Sequence, residues 1–124
     1  METTHPPKTR ERTWLWLYKI VAGLLIVFLL GLHFVVNHLI APNGLLSWEE
    51  VVAYYQNPII PMIEIVFLLV VISHALIGLR SIILDLNPSV KLLRRLDIFF
   101  VLLGVASSVY GIWLVTVIIS FGRP

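Results

Sequence analysis

Three long apolar runs dominate the pattern of hydrophobic and polar positions along this chain. They cover about residues 14–40, 59–84 and 98–121, and polar segments separate them. Each run exceeds the roughly 20 residues that a helix needs to cross about 30 Å of hydrocarbon. Lipid offers no hydrogen bonds to a backbone, and no run alternates as a barrel strand does, so we expect three transmembrane helices. The predicted fold class is therefore all-α, with a tail at residues 1–12 and one three-helix membrane domain at residues 13–124.

The polar segments predict a short helix and an orientation. Ser47 and Glu50 have the spacing of a helix N-cap and its capping-box partner, which predicts an interfacial helix ending near Gln56. The basic residues gather in the tail and in the second loop, at Lys8, Arg10, Arg12, Lys91, Arg94 and Arg95. The only charged residues of the loop between the first and second runs are Glu49 and Glu50. The positive-inside rule therefore places the N-terminus in the cytoplasm and the C-terminus on the outer side of the inner (cytoplasmic) membrane.

Composition narrows the class of protein further. Hydrophobic residues make up 59% of the 124 positions, the mean hydropathy is +0.95, and only 13% of the residues are charged. A soluble domain has about a quarter of its residues charged, so this is an integral membrane protein. The formal net charge of +2 is too small to indicate nucleic-acid binding. Since the chain has no cysteine, any metal must be held by nitrogen or oxygen.

A histidine, His74, lies deep within the second run. Three residues share its face of a helix within roughly 60°, namely Gly78, Ser81 and Asp85. Ionisable groups at membrane depth are costly and usually functional. We interpret His74 as an axial ligand of a haem, with the glycine one turn away leaving a gap for a flat cofactor. The alternative is a hydrogen-bonded histidine that packs helices together.

A second intramembrane histidine, His33, lies at another depth. Nineteen residues separate it from Trp14, or about 28 Å of helix, whereas His74 lies eleven residues, or about 16 Å, from Asp85. The two imidazoles are thus roughly 12 Å apart along the membrane normal, too far to share one iron. His33 is either the ligand of a second haem or a packing histidine. His38 lies near the outer interface, where a histidine needs no cofactor.

The run from His74 to Arg80, followed by Asp85, resembles the second-helix signature of the small hydrophobic anchor subunits of succinate dehydrogenase (respiratory complex II). The loop from Ser47 to Val51 and the basic start of the first helix also resemble that family, and the likeness covers about residues 13–121. The resemblance implies partners: a second hydrophobic anchor subunit, an iron–sulfur subunit and a flavoprotein subunit. Electrons from succinate would reach a membrane quinone beside a haem b held by two histidines.

The resemblance also implies roles for individual residues. His74 matches the axial ligand of the family, and His33 matches the first-helix histidine of anchors that hold two haems, so one or two haems b are expected. Each iron would take its second axial ligand from the partner anchor. The chain itself is not expected to oxidise succinate, because it has neither a flavin fold nor cysteines for iron–sulfur clusters.

A quinone headgroup is expected at the inner end, near Lys19, Arg80 and Asp85. The sequence departs from the family at two positions there. Leu86 lies where the family can have a tyrosine that hydrogen-bonds the quinone. Lys19 lies where the family often has arginine, so the positive charge is kept but the two-point hydrogen bonding of a guanidinium is lost. Arg80 has two readings, a partner for a haem propionate or a plain interface anchor.

Other features have less specific interpretations. Glu64 reads as a hydrated carboxylate near the outer interface, with pairing to a basic group on a partner or a proton path as alternatives. A stripe of small residues in the third run predicts a packing face, formed by Gly104, Ser107, Ser108 and Gly111. Two functions compete with the main prediction: a haem-free structural anchor, and the cytochrome b anchor of a quinol:fumarate reductase.

Overall fold

The fold is entirely helical over residues 12–40 and 43–122, which are the residues described by the structure, a computed structural model. Its elements are α1 (Thr13–Phe34), a π-helical segment (Val35–Ile40), α2 (Trp48–Tyr55), α3 (Ile59–Asp85) and α4 (Val90–Phe121). No strand occurs in these two ranges, so the all-α prediction is confirmed. The tail predicted at residues 1–12 lies outside the described residues except for Arg12.

The three long helices are each able to cross a membrane. They contain 22, 27 and 32 residues, which correspond to about 33, 40 and 48 Å at 1.5 Å per residue. All three are apolar enough as well as long enough to span a bilayer, so the chain is a multi-pass membrane protein. The predicted first span agrees with α1 together with the π-helical segment, which extends it to Ile40.

The short helix α2 begins with the capping box that the sequence predicts. The Ser47 hydroxyl accepts a hydrogen bond from the Glu50 backbone N–H, and the Glu50 carboxylate accepts one from the Ser47 N–H. Two contacts hold this helix on the end of α4. The Gln56 side-chain amide donates to the carbonyl of Ile119 at 3.3 Å, and Trp48 packs edge-on against Phe121.

Helix α4 begins eight residues before the third apolar run. The Ser89 hydroxyl caps it by accepting from the Leu92 N–H at 3.3 Å, and the helix then continues without interruption through residues 98–121. Its first eight residues add about 12 Å of helix ahead of the apolar run. Three exposed basic side chains lie on this extension, those of Lys91, Arg94 and Arg95.

Helix α3 lies between α1 and α4 and packs antiparallel to each. On the α1 side, Lys19 contacts Ser81, and Gly23 faces His74. On the α4 side, a Cβ built on Gly104 would lie 2.9 Å from the Leu76 side chain, so the small residue allows close approach. Gly111 faces α3 in the same way, which confirms the packing face predicted for the glycines of this stripe.

The three long helices do not enclose a core. Within the described residues α1 and α4 make no contact with each other, so the helices form an open layer with α3 in the middle. The buried hydrophobic residues are few: Ala22, Phe100 and Val115. Large apolar side chains cover the outer faces of the layer, as expected for surfaces that meet lipid or another membrane subunit.

Candidate functional site

His74 projects from the middle of α3 toward α1, where Gly23 faces it. A Cβ built on Gly23 would lie 3.3 Å from His74 Cε1 and 3.9 Å from Nε2. The imidazole therefore occupies the space that a side chain at position 23 would need. A Cβ on Gly78, one turn further along α3, would meet nothing within 4 Å, which agrees with the predicted gap beside the histidine.

The two ring nitrogens of His74 have different surroundings. Nδ1 is buried and has no hydrogen-bond partner among the described residues, whereas Nε2 is not enclosed in this way. Leaving a buried polar atom unpaired costs about 1–3 kcal/mol, so a histidine in this state needs an explanation. The imidazole, with room for its ring against Gly23 and open space at Gly78, fits a ligand for a flat, iron-containing cofactor, which Nε2 would hold. Within the described residues, no three His, Asp or Glu side chains gather closely enough to hold a metal ion by themselves.

His33 lies near the other end of α1 and faces Glu64 on α3. Its Nδ1 is 3.7 Å from Glu64 Oε1, and the histidine side chain is 50% exposed while that of the glutamate is 23% exposed. His33 is ten residues beyond Gly23 on α1, and His74 is ten residues beyond Glu64 on α3. Ten residues correspond to about 15 Å, which agrees with the predicted difference in depth between the two histidines.

His38 lies within the π-helical segment that follows α1. Its ring stacks on that of Phe34, with the centroids 4.9 Å apart and an angle of 13° between the ring planes. The side chain is exposed. The stacking gives His38 a packing partner on its own helical segment.

A polar cluster joins α1 and α3 at the end opposite α2. The Lys19 ammonium donates to the Ser81 hydroxyl at 2.7 Å, and that hydroxyl donates to the carbonyl of Ile77 at 3.0 Å. The hydroxyls of Tyr18 and Ser73 also hydrogen-bond to each other. The helix pair therefore presents an ammonium group and several hydroxyls in its part-buried interface.

The three residues predicted to bind quinone do not lie together. Lys19 is in the α1–α3 interface, whereas Arg80 faces α4 and forms a two-point ion pair with Asp97. Asp85 is exposed at the end of α3 and has no hydrogen bond or ion pair with another described residue. Sequence reasoning missed Asp97, which it placed just before the third span. The serine cap at Ser89 is the signal that would have put this aspartate on a helix.

An apolar cavity of about 610 Å³ lies between α3 and α4. The Arg80–Asp97 pair lines one end of it, and aliphatic and aromatic side chains line most of the rest, among them Leu76, Phe100 and Val105. Ser73 and Ser108 add two hydroxyls to its wall. The cavity is therefore suited to an apolar chain rather than to a polar ligand.

At the end of the helices where α2 lies, Glu64 also contributes to the pKa of Tyr55. Burial, together with the nearby carboxylate of Glu64 and the Tyr54 side chain, raises the pKa of Tyr55 to about 12. The Tyr55 phenol therefore keeps its proton at physiological pH and acts only as a neutral hydrogen-bonding group.

Three apolar helices, a layer without a core of its own and histidines at two depths define a multi-pass membrane anchor that works as part of a larger assembly. Over residues 4–111 the chain matches the family described as succinate dehydrogenase/fumarate reductase transmembrane subunit. The chain belongs to this family, as a membrane anchor subunit. Membership implies association with the other subunits of such a complex and with the membrane.

Individual relatives support the same family. The chain is 31% identical over 99 residues to the succinate dehydrogenase hydrophobic membrane anchor subunit of Archaeoglobus fulgidus, covering 80% of this chain and 84% of that protein. It is 28% identical over 91 residues to the subunit of the same name from Thermoplasma acidophilum, covering 73% and 74%. It is 29% identical over 117 residues to succinate dehydrogenase 2 membrane subunit SdhC of Mycobacterium tuberculosis, covering 86% and 85%. No solved structure matches the chain significantly.

Proposed function

We propose that this chain is the anchor of a succinate:quinone oxidoreductase and that it holds haem b together with a second hydrophobic anchor subunit. In this role it docks the iron–sulfur and flavoprotein subunits to the cytoplasmic face of the inner membrane and contributes to quinone reduction. The N-terminus is then cytoplasmic and the C-terminus lies outside. The single observation that carries the proposal is the half-buried imidazole of His74 in the middle of a membrane-spanning helix, one turn from the open space at Gly78.

The chain's own residues supply a ligand and the space around it. His74 would hold the iron from α3, and Gly23 gives the imidazole its place against α1. The haem, when bound, supplies one-electron transfer through its iron. Because α1 and α4 do not contact each other, they do not close around α3, and the partner anchor would supply the other protein ligand. His33, about 15 Å away along the helices, would serve a second haem.

The start of α4 is the docking surface that we propose for the iron–sulfur subunit. Its first two turns project ahead of the apolar run and carry the exposed Lys91, Arg94 and Arg95. A basic end of this kind attracts an acidic protein surface and increases the rate of encounter. The same side chains also suit contact with anionic lipid headgroups at the cytoplasmic surface.

The quinone headgroup is proposed to bind at the same end of the helices. The Lys19 ammonium, now 2.7 Å from the Ser81 hydroxyl, is a donor for a quinone carbonyl in a part-buried interface. Asp85 is exposed nearby along α3 and adds a polar side chain at the membrane surface. Arg80 contributes through its pair with Asp97, which fixes α3 against α4.

The haem assignment is tested on the purified complex by counting haem chemically and recording redox-difference spectra. His74→Ala is expected to remove the inner haem, and His33→Ala the outer one. His38→Ala is the matched control, because that ring stacks on Phe34 and should leave both spectra unchanged. One haem in the wild-type complex would leave His33 as a packing residue, and no haem would make the chain a purely structural anchor.

A quinol:fumarate reductase anchor is the second candidate, since the matching family includes both enzymes by its description. The relatives reported above are all named for succinate dehydrogenase, which favours succinate oxidation. Comparing the rates of succinate oxidation and fumarate reduction by the whole complex, with quinones of different potential, decides between the two directions.

A further inference from the structure

The half-buried Glu64 of α3 faces the more exposed His33 of α1. His33 Nδ1 and Glu64 Oε1 are 3.7 Å apart, within ion-pair distance but beyond a direct hydrogen bond. The carboxylate belongs to a side chain only 23% exposed, on a helix made mostly of aliphatic residues. A carboxylate in such a setting is costly unless a polar group lies nearby, and the Nδ1 edge of the imidazole is the polar group that faces it.

The walls around this pair strengthen the interaction. Both side chains line a small cavity of about 190 Å³, whose other walls are mainly apolar and include Leu29, Ile63 and Phe67. Apolar walls lower the local dielectric constant, so a charge at this distance acts on the imidazole more strongly than it would in water. The Glu64 charge therefore acts on the edge of the His33 ring that lines this cavity.

Histidines that bind metals usually direct their second ring nitrogen at a carboxylate or a carbonyl, which fixes the ring and makes it a stronger electron donor. In His33 the nitrogen that faces the carboxylate is Nδ1, so Nε2 is the nitrogen that would hold the iron. We propose that Glu64 is the positioning residue of His33, orienting it as the ligand of the outer haem and lowering the midpoint potential of that haem. This inference rests on the proposed haem-binding function of His33.

The other histidine provides the comparison within one chain. His74 Nδ1 is buried and has no partner among the described residues, so no carboxylate strengthens its imidazole as Glu64 strengthens His33. A stronger donor stabilises ferric iron relative to ferrous iron. The midpoint potential of the outer haem should therefore depend on Glu64. The inner haem, whose potential should not, serves as an internal reference in the same measurement.

The test is a redox titration of both haems, followed optically and by electron paramagnetic resonance, in the purified complex with Glu64→Gln. Loss of the negative charge is expected to raise the midpoint potential of the outer haem and to leave that of the inner haem unchanged. The expected change is about tenfold in the ratio of the two oxidation states, or about 59 mV for one electron. Glu64→Asp, which keeps the charge, should restore much of the wild-type potential.

Glu49→Gln is the matched charge control. This residue lies on α2, in a cavity with Trp48 and Phe121, and its replacement also removes one carboxylate at the same end of the chain. It should change neither potential. A potential that is unaffected by Glu64→Gln, or that shifts equally in both haems, would overturn the proposed role of Glu64.

Failure of the haem assignment has a different signature. If the wild-type complex contains a single haem and His33→Ala does not reduce that count, the assignment of His33 is wrong and the role of Glu64 falls with it. If two haems are present and His33→Ala removes one of them while Glu64→Gln leaves its potential unchanged, only the role of Glu64 is refuted.

Discussion

Arg80 and Asp97 form a two-point ion pair between α3 and α4. The Arg80 Nε is 2.6 Å from Asp97 Oδ1, and its Nη2 is 3.1 Å from Oδ2. This planar, paired geometry is available to arginine and not to lysine. The side chains are 32% and 39% exposed, so the pair holds two helices together at a point that solvent or lipid headgroups can still reach.

Removing either partner of this pair should lower the stability of the α3–α4 contact. Because both side chains are partly exposed and screened, we expect a coupling of only about 1 kcal/mol in the free energy of unfolding. Thermal unfolding of the complex with Arg80→Lys, Asp97→Asn and the double variant measures this coupling. Arg80→Lys should lose much of the stabilisation although it keeps the charge. Additive effects of the two single changes would mean that the pair contributes nothing.

Gly23 is expected to control the orientation of the His74 ring. The Cβ added by Gly23→Ala would lie 3.3 Å from His74 Cε1, so the ring must move by a few tenths of an ångström. The optical and electron paramagnetic resonance spectra of the inner haem should change as a result. Gly31→Ala is the control on the same helix, because its Cβ would meet no described atom within 4 Å, and the spectra of the inner haem should remain those of the wild type.

The orientation in the membrane can be tested by labelling, since the chain has no cysteine of its own. We expect Asn43→Cys, in the α1–α2 loop, to react with a membrane-impermeant maleimide in intact cells. Val90→Cys, at the exposed start of α4, should react only after permeabilisation. The opposite pattern would reverse the orientation derived from the basic residues, and the unmodified chain gives the background of the assay.

The pKa of Tyr55, raised from 10.0 to about 12, predicts a pH dependence of stability. Between these values the unfolded state loses the phenolic proton while the folded state keeps it. The free energy of unfolding therefore has its full value below pH 10 and falls as the pH rises toward 12. Alkaline unfolding with Tyr55→Phe should lack this component. Glu64→Gln should lower the pKa of Tyr55, as followed by tyrosinate absorbance, because it removes a nearby negative charge.

Local signals in the sequence predicted most of the helical architecture. The apolar runs located the three long helices because each is a continuous stretch whose length alone matches the bilayer. The capping box of Ser47 and Glu50 was predictable because its two hydrogen bonds join residues only three positions apart. The start of α4 was placed too late because charged residues in its first turns look like a loop, although Ser89 marks the cap.

The partners of the polar residues were harder to predict. Asp97 lies 17 positions from Arg80, and Glu64 lies 31 positions from His33, so each pairing depends on how two helices are rotated against each other. Depth along the membrane could be counted from the sequence, and it correctly separated the two histidines. The rotation of each helix depends on packing details such as the glycine at position 23, which no periodicity reveals.

The lack of contact between α1 and α4 has a consequence for the life of the subunit in the cell. A newly inserted copy has almost no interior, and it exposes intramembrane polar groups such as His33 on its surface. Such a copy depends on assembly to cover these groups, and membrane proteases that remove orphan subunits would recognise it until then. Its abundance should therefore follow the supply of its partners, and its half-life should shorten when they are missing.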